Sequence, residues 1–172
     1  MKAVIQRVKS SSVTISEQNY YREIGKGLLV LLGIKTGDTE ADVIFVADKC
    51  YNLRIFEDSE DKMNKSVKEV NGEMLIISQF TLYGDTAKDN RPSFIDAAKP
   101  DEAIPLYEKF VSRVKANLGD DKVKFGIFGA MMDIQLVNYG PVTVLVESKK
   151  WFEINEQRTD GFSWRCWNRE EG

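Results

Sequence analysis

The segment Gly27-Leu28-Leu29-Val30-Leu31-Leu32-Gly33-Ile34 limits the possible folds more than any other part of the chain. Its aliphatic residues follow one another without a polar position, so the segment is apolar on both faces. This pattern is typical of a β-strand that is buried on both sides. We therefore predict that the segment is a central strand of a sheet.

Helix and strand patterns surround this segment. Apolar residues at helical spacing predict one helix over Glu40–Leu53 and a second over Asp101–Leu118. A length of 172 residues suits one compact domain, so we predict a single mixed α/β domain. Its strands are predicted from short β-prone or alternating segments at residues 4–8, 13–15, 21–24, 74–77, 123–128, 132–137 and 142–146.

The chain contains no histidine, which excludes Ser/His/Asp and Cys/His nucleophile systems and HExxH metal sites. Its two cysteines, Cys50 and Cys166, lie far apart in sequence and form no C-x-x-C pair. We therefore expect no metal or other cofactor, no disulfide scaffold and a reducing cytoplasm. Cys50 lies on the apolar stripe of the first predicted helix, which favours a packed core thiol over a reactive one.

Charge and hydropathy limit the partners. The net charge is −3 and the pI is about 5.2, so the chain lacks the basicity typical of duplex-binding proteins, and we expect no DNA partner. A nucleic-acid substrate would need local cations, such as Lys88 and Arg91 in the polar loop 84–92. No apolar run has the length of a membrane span and no signal peptide is evident, so we expect a cytoplasmic protein with no membrane partner.

Polar residues directly follow the predicted strand 74–77. Ser78 and Thr81 supply hydroxyl groups and Gln79 an amide beside Phe80, so this segment could polarise a carbonyl and stack an aromatic base. Without a histidine, neither hydroxyl has an obvious base. The spacing of these residues alone therefore favours a structural interpretation, in which the polar side chains only end the strand, over a catalytic one. The pair Gly140-Pro141 likewise favours a hairpin turn between two strands.

The C-terminal 24 residues differ from the rest. All three tryptophans, Trp151, Trp164 and Trp167, lie there among charged residues. We therefore predict a domain over residues 1–148 and a Trp-rich extension over residues 149–172. The extension fits an amphipathic segment that packs on the domain or on a second subunit, or, less simply, a stacking surface for RNA bases.

Two motifs identify a family resemblance. Ser78-Gln79-Phe80-Thr81-Leu82 and Asn138-Tyr139-Gly140-Pro141-Val142-Thr143 resemble the signature motifs of the D-aminoacyl-tRNA deacylases, at that family's usual separation. The resemblance runs from Met1 to about Ser148. It also includes the segments 3–8, 52–56, 90–94 and 128–130.

The resemblance implies a homodimer with barrel-like, antiparallel-rich sheets that hydrolyses the ester between a D-amino acid and the terminal adenosine of tRNA. Gly140-Pro141 corresponds to a Gly-cis-Pro pair that reaches into the neighbouring subunit's pocket and excludes L side chains, and Arg7 to the arginine that fixes this pair. The remaining residues implied to line the pocket are Ser78, Gln79, Phe80 and Thr81 around the ester, and Ala103 and Phe128 in its wall.

This chemistry agrees with the missing histidine, because an aminoacyl ester is activated and needs only polarisation, positioning and a nucleophile. Water, Thr81 and the 2'-hydroxyl of the tRNA remain alternatives for that nucleophile. Glycine has no side chain to exclude, so glycyl-tRNA is an expected second substrate. Tyr139 stands where the family commonly has an acidic residue, which affects substrate preference more than the reaction.

Two other functions remain open at this point. One is a non-catalytic protein of the same fold that binds nucleic acid or another partner through the Trp-rich extension. The other is an esterase that acts on small D-amino acid esters without tRNA.

Overall fold

The computed structural model describes residues 1–88 and 90–148. The predicted extension over residues 149–172, with its boundary, lies outside the described residues and stays a prediction. None of the helices in the described part of the chain has the length and apolar character needed to cross a membrane.

A six-stranded sheet forms the centre of the molecule. Its order is β2-β1-β3-β6-β7, and β8 pairs with the other edge of β1, which gives a nearly closed, barrel-like sheet. The strands of this sheet are β1 (Lys2–Ile15), β2 (Tyr20–Ile24), β3 (Gly27–Gly33), β6 (Glu73–Ser78), β7 (Val123–Phe125) and β8 (Asp133–Glu147). β4 (Phe56–Glu57) and β5 (Met63–Lys65) form a separate two-stranded sheet.

The apolar segment at 27–34 is a central strand, as predicted. β3 pairs antiparallel with β1 and parallel with β6, and Leu28 and Val30 are fully buried. The two predicted helices are also confirmed, as α1 (Glu40–Asn52) and α2 (Pro100–Leu118). The predicted mixed α/β class with barrel-like sheets is therefore confirmed.

The helices pack together on one side of the sheet. The hydroxyl and backbone N–H of Thr39 both donate to Asp42 at the start of α1, each over 2.8 Å. Between the helices, Arg113 donates to both carboxylate oxygens of Asp48, over 2.6 and 2.7 Å. These hydrogen bonds from Arg113 are the main cause of the lowered pKa of Asp48.

Cys50 lies on the buried face of α1 and packs in the core, as predicted. Its side chain is fully buried, and this burial raises the pKa of the thiol. A buried thiol held in its neutral form is a packing group and a poor nucleophile.

Three strand predictions were wrong in extent. The serines at 10–12 do not end a strand, because Ser11 and Ser12 pair with β2 on one side and β8 on the other, so β1 runs unbroken from Lys2 to Ile15. Residues 132–137 and 142–146 belong to one strand, β8, and Gly140-Pro141 lies within it rather than in a hairpin turn. The strand predicted over 123–128 ends at Phe125.

Candidate active site

A cavity of about 380 Å³ opens at the carboxyl ends of β3 and β6. These strands are parallel, and Leu32 of β3 pairs with Ser78 of β6, so both strands end at the same place. Most of the lining is apolar, as in small-molecule sites of this size. The lining residues are Leu32, Ile34, Ile77, Ser78, Gln79, Phe80, Ala98, Ala103, Phe128, Gly129, Ala130, Met131, Met132 and Ile134.

The segment 78–81 supplies the polar part of this cavity. The backbone N–H of Gln79 donates to the carbonyl of Leu32 over 2.7 Å, which fixes the segment to the end of β3. The side-chain amide of Gln79 donates to the hydroxyl oxygen of Thr81 over 2.5 Å. Ser78, Gln79 and Phe80 line the cavity, whereas Thr81 lies in the following short turn, outside the lining.

Phe80 forms an exposed aromatic edge of the cavity. Its side chain is 56% exposed and meets Phe94 edge to face, with 5.1 Å between ring centroids. Phe94 lies two residues beyond the polar loop 84–92, which carries Lys88 and Arg91, both exposed. Lys88 and Arg91, the two cations considered for nucleic-acid contact, therefore lie in the loop that leads to Phe94, the residue that packs against Phe80.

Ala103 of α2 and Phe128 also belong to the wall of the cavity. Tyr107, one turn after Ala103, was missed by sequence reasoning although it holds this wall together. Its hydroxyl lies 3.0 Å from the carbonyls of both Ile76 and Gly126, and its ring lies 5.8 Å from that of Phe128. Its position on the apolar stripe of α2 gave no sign of this polar contact.

Arg7 is a buried cation on β1, with only 3% of its surface exposed. Its Nη1 donates to the carbonyl of Ile55 over 2.7 Å and its Nε to the carbonyl of Tyr139 over 2.9 Å. Its Nη2 lies 3.2 Å from Oε1 of Glu57. A buried guanidinium needs this number of partners to offset the loss of hydration.

Gly140 and Pro141 protrude from β8 opposite Arg7. Gln6 pairs with Thr143 and Val8 with Asn138, so four residues of β8 face the single residue Arg7. We call residues 139–142 the bulge loop. The Gly140–Pro141 peptide bond is cis, and Gly140 has a φ of 126°, a region that favours glycine.

The described chain does not bring all the predicted site residues together. Ser78, Gln79, Phe80, Ala103 and Phe128 share the cavity. The second group, Arg7, Gly140 and Pro141, lies outside the cavity lining, and Gly140 and Pro141 are exposed. Sequence reasoning also missed Glu57, because it belongs to a two-residue strand with no distinctive pattern.

Within residues 1–88 and 90–148, no cluster of three or more acidic, cysteine or histidine side chains is placed to hold a metal ion. The groups that line the cavity near its polar end are the hydroxyl of Ser78, the amide of Gln79, the aromatic edge of Phe80 and the backbone of the segment 78–80. Such groups can polarise a carbonyl and position a planar ring.

The barrel-like α/β fold and the amide- and hydroxyl-bearing cavity agree with a class of hydrolases, the tRNA deacylases. Residues 4–147 match the family model described as D-Tyr-tRNA(Tyr) deacylase, and the chain belongs to this family.

Several relatives and solved structures are similar to the chain. A D-aminoacyl-tRNA deacylase from Cytophaga hutchinsonii is 53% identical and covers 87% of this chain and 98% of its own length. A protein of the same name from Desulfatibacillum aliphaticivorans is 55% identical, over 87% of this chain and all of its own.

Two solved structures share the fold. One, a c-Myc DNA unwinding element binding protein, has a TM-score of 0.81 and 39% identity, and covers 86% of this chain and 99% of its own. A probable eukaryotic D-amino acid tRNA deacylase has a TM-score of 0.75 and covers 86% of this chain and 98% of its own; at 17% identity it supports the fold alone.

Proposed function

We propose that this protein hydrolyses the ester bond of D-aminoacyl-tRNA, releasing the D-amino acid and free tRNA. One observation carries the proposal: a chain of this family places Ser78, Gln79 and Phe80 around a single cavity at the end of two parallel strands. Relatives more than 50% identical carry the name of this activity. The tRNA substrate is found in the cytoplasm, where we expect the protein to act.

The cavity residues suit this reaction. The ester carbonyl lies against Ser78 and the amide of Gln79, which polarise it, and Phe80 offers its exposed face to the terminal adenine. Ala103 and Phe128 limit the space for the amino acid. Water attacks the acyl carbon, either alone or assisted by the 2'-hydroxyl of the tRNA, or Thr81 attacks it and water then hydrolyses the acyl-threonine ester. In each case the ester bond to the ribose breaks, and the ribose oxygen takes up the proton that the nucleophile loses.

A homodimer completes the site in this proposal. Within the described residues β8 pairs with β1 alone, and it carries the exposed apolar residues Leu136, Val137 and Leu145. An exposed apolar edge strand of 15 residues is a ready surface for a second copy. That copy brings its own Gly140 and Pro141 to the cavity, where their backbone excludes an L side chain.

The first experiment measures release of labelled D-tyrosine, L-tyrosine and glycine from tRNA by the purified protein, with a chelator present. We expect rapid release of D-tyrosine, slower release of glycine because it has no side chain to exclude, and negligible release of L-tyrosine. Free D-tyrosine ethyl ester in the same assay tests the small-ester alternative. Absence of D-tyrosine release, or equal release of both enantiomers, would refute the proposal.

Subunit mixing tests whether the site is shared. Gln79→Ala removes the side-chain amide from the cavity. Gly140→Val prevents the bulge loop from keeping its conformation, since a Cβ on Gly140 would lie 2.8 Å from the Val142 side chain. Each variant alone is expected to keep about 1% of the wild-type activity or less. After unfolding and refolding together, random pairing gives mixed dimers with one intact site each, about a quarter of the wild-type number of sites. A monomeric mass, or no recovery of activity on mixing, contradicts the shared site.

Nucleic-acid binding without catalysis is the second candidate. The observation that favours it is the similarity to the 39% identical structure, whose name is that of a DNA-binding protein. Binding of deacylated tRNA and of single- and double-stranded DNA, measured at several salt concentrations, separates the two functions. We expect binding to tRNA only; tight DNA binding by a protein inactive on D-tyrosyl-tRNA would favour the second candidate.

A further inference from the structure

We propose that Tyr139 and Glu57 are positioning residues for the bulge loop. They fix the guanidinium of Arg7, and through it Gly140, in the geometry that separates D- from L-aminoacyl esters. This inference rests on the proposed function, and it assigns to that reaction two side chains that lie outside the cavity.

Arg7, Glu57 and Tyr139 form a closed cycle of contacts. Arg7 Nε donates to the carbonyl of Tyr139 over 2.9 Å, and Arg7 Nη2 pairs with Glu57 Oε1 at 3.2 Å. The hydroxyl of Tyr139 donates to Glu57 Oε2 over 3.0 Å. Each residue therefore contacts both others, and moving any one of them breaks two contacts.

The ring of Tyr139 adds a second restraint on Arg7. The guanidinium carbon of Arg7 lies 4.5 Å from the ring centroid, and Lys9 Nζ lies 5.4 Å from the same centroid. Both cations are attracted to the π-electrons of the ring. The hydrogen bond to Glu57 is also the main cause of the raised pKa of the Tyr139 hydroxyl.

The cycle acts on Gly140 through one nitrogen atom. The Nη2 of Arg7, which pairs with Glu57, lies only 3.0 Å from the position that a Cβ on Gly140 would occupy. The guanidinium is thus packed directly against the backbone of the bulge loop. If Glu57 releases Nη2, the wall against which Gly140 rests moves, and the loop backbone is free to adjust.

Burial indicates that the cycle contributes more to position than to stability. Tyr139 is half-buried, and the Glu57 side chain is 35% exposed, so solvent screens their interaction. Arg7 also donates to the carbonyls of Ile55 and Tyr139, and neither of these hydrogen bonds involves Glu57. Loss of the cycle should therefore leave the protein folded while loosening the loop.

The test compares Tyr139→Phe, Glu57→Gln and the double variant with the wild type. The measurements are kcat/KM for D- and L-tyrosyl-tRNA and Tm. We expect each single variant to lower the D/L ratio of kcat/KM roughly fivefold, with Tm nearly unchanged. The double variant should lose no more than the stronger single variant, because both substitutions open the same cycle.

Tyr21→Phe is the matched control. It removes a tyrosine hydroxyl that donates to the exposed carboxylate of Glu23 over 2.7 Å. The lost hydrogen bond is therefore of the same kind as that between Tyr139 and Glu57, but it lies away from the bulge loop. Its D/L ratio should equal that of the wild type. An unchanged ratio in Tyr139→Phe and Glu57→Gln would overturn the proposal. So would fully additive losses, or equal falls in D and L activity together with a lower Tm.

A signal independent of activity separates this inference from the proposed function. The amide proton of Gly140 should change its NMR chemical shift or broaden in both single variants and not in Tyr21→Phe. If the wild type released no D-tyrosine, the proposed function would fail, and the Gly140 amide would still decide whether Tyr139 and Glu57 position the loop. An unaltered Gly140 signal in both variants refutes the positioning role.

Discussion

The cavity and the bulge loop are built in opposite ways. The cavity forms where β3 and β6 end together, and its polar segment is anchored by the backbone hydrogen bond from Gln79 to Leu32. The bulge loop leaves the sheet, and the side chain of Arg7 holds it through contacts to Tyr139 and Glu57. Backbone pairing thus positions the proposed chemical groups, whereas side chains position the proposed selectivity element.

This difference predicts different responses to mutation. A side chain in the cavity can be removed without disturbing the backbone that shapes it. A side chain that holds the bulge loop cannot be removed without altering the loop itself. Substitutions at the cavity should therefore change the rate alone, and removal of the buried Arg7 side chain should change stability and selectivity together.

The largest effect is expected for Arg7→Met. This substitution leaves the carbonyls of Ile55 and Tyr139 without their donor and Glu57 without its cation, so we expect a loss of about 3 kcal/mol in the free energy of unfolding. The D/L ratio should fall by roughly 100-fold. Urea unfolding and tRNA deacylation measure the two effects. Arg22→Met, on the exposed strand β2, is the control, and equal effects of both variants would contradict the comparison.

Gln79→Ala should change the rate and leave stability intact. The backbone bond to Leu32 survives, but the amide that polarises the ester is lost, so we expect kcat to fall about 100-fold with the D/L ratio unchanged. The free energy of unfolding should change by less than about 0.5 kcal/mol. Gln18→Ala, on an exposed turn, serves as the control. A large change in stability would show that the cavity, too, depends on side chains.

A double variant, Lys88→Ala with Arg91→Ala, should weaken tRNA binding roughly tenfold. If both cations contact phosphates of the single-stranded acceptor end, the slope of log K against log salt should decrease by about 1.4. Lys62→Ala with Lys68→Ala makes the same charge change on another exposed surface. Equal slopes in the two double variants would remove Lys88 and Arg91 from the tRNA-binding surface.

The smallest effect is expected for Thr81→Val. Its hydroxyl oxygen accepts a hydrogen bond from the amide of Gln79, and an amide N–H cannot take up a proton as a base. We therefore expect single-turnover rates within about threefold of the wild type. A loss as large as that of Gln79→Ala would instead assign the nucleophile to Thr81.

The sequence predicted the parts of the fold that depend on local pattern. The unbroken apolar run at 27–34 became the central strand β3, and both amphipathic segments became helices with nearly the predicted ends. The errors occurred where long-range pairing overrides local signals. The serines at 10–12 resemble a break, yet β1 continues because β2 and β8 pair with it on both edges.

The candidate site was predictable only in part. The family motifs indicated the segment 78–81 and the pair Gly140-Pro141, but residues alone favoured a hairpin turn at that pair. Only the register shows four residues of β8 opposite Arg7. Tyr107 and Glu57 escaped prediction, because a tyrosine on a helix stripe and a glutamate in a two-residue strand have no sequence signal of the contacts that they make.

The pairing on either side of the bulge loop has a practical consequence for engineering. Gln6 pairs with Thr143 and Val8 with Asn138, so pairing between β1 and β8 resumes on both sides of the bulge loop after a shift in register. A library that varies positions 139 and 142 would therefore sample new selectivities on an unchanged scaffold. Substrate preference could then be altered as an exchangeable module, independently of the residues proposed to cleave the ester.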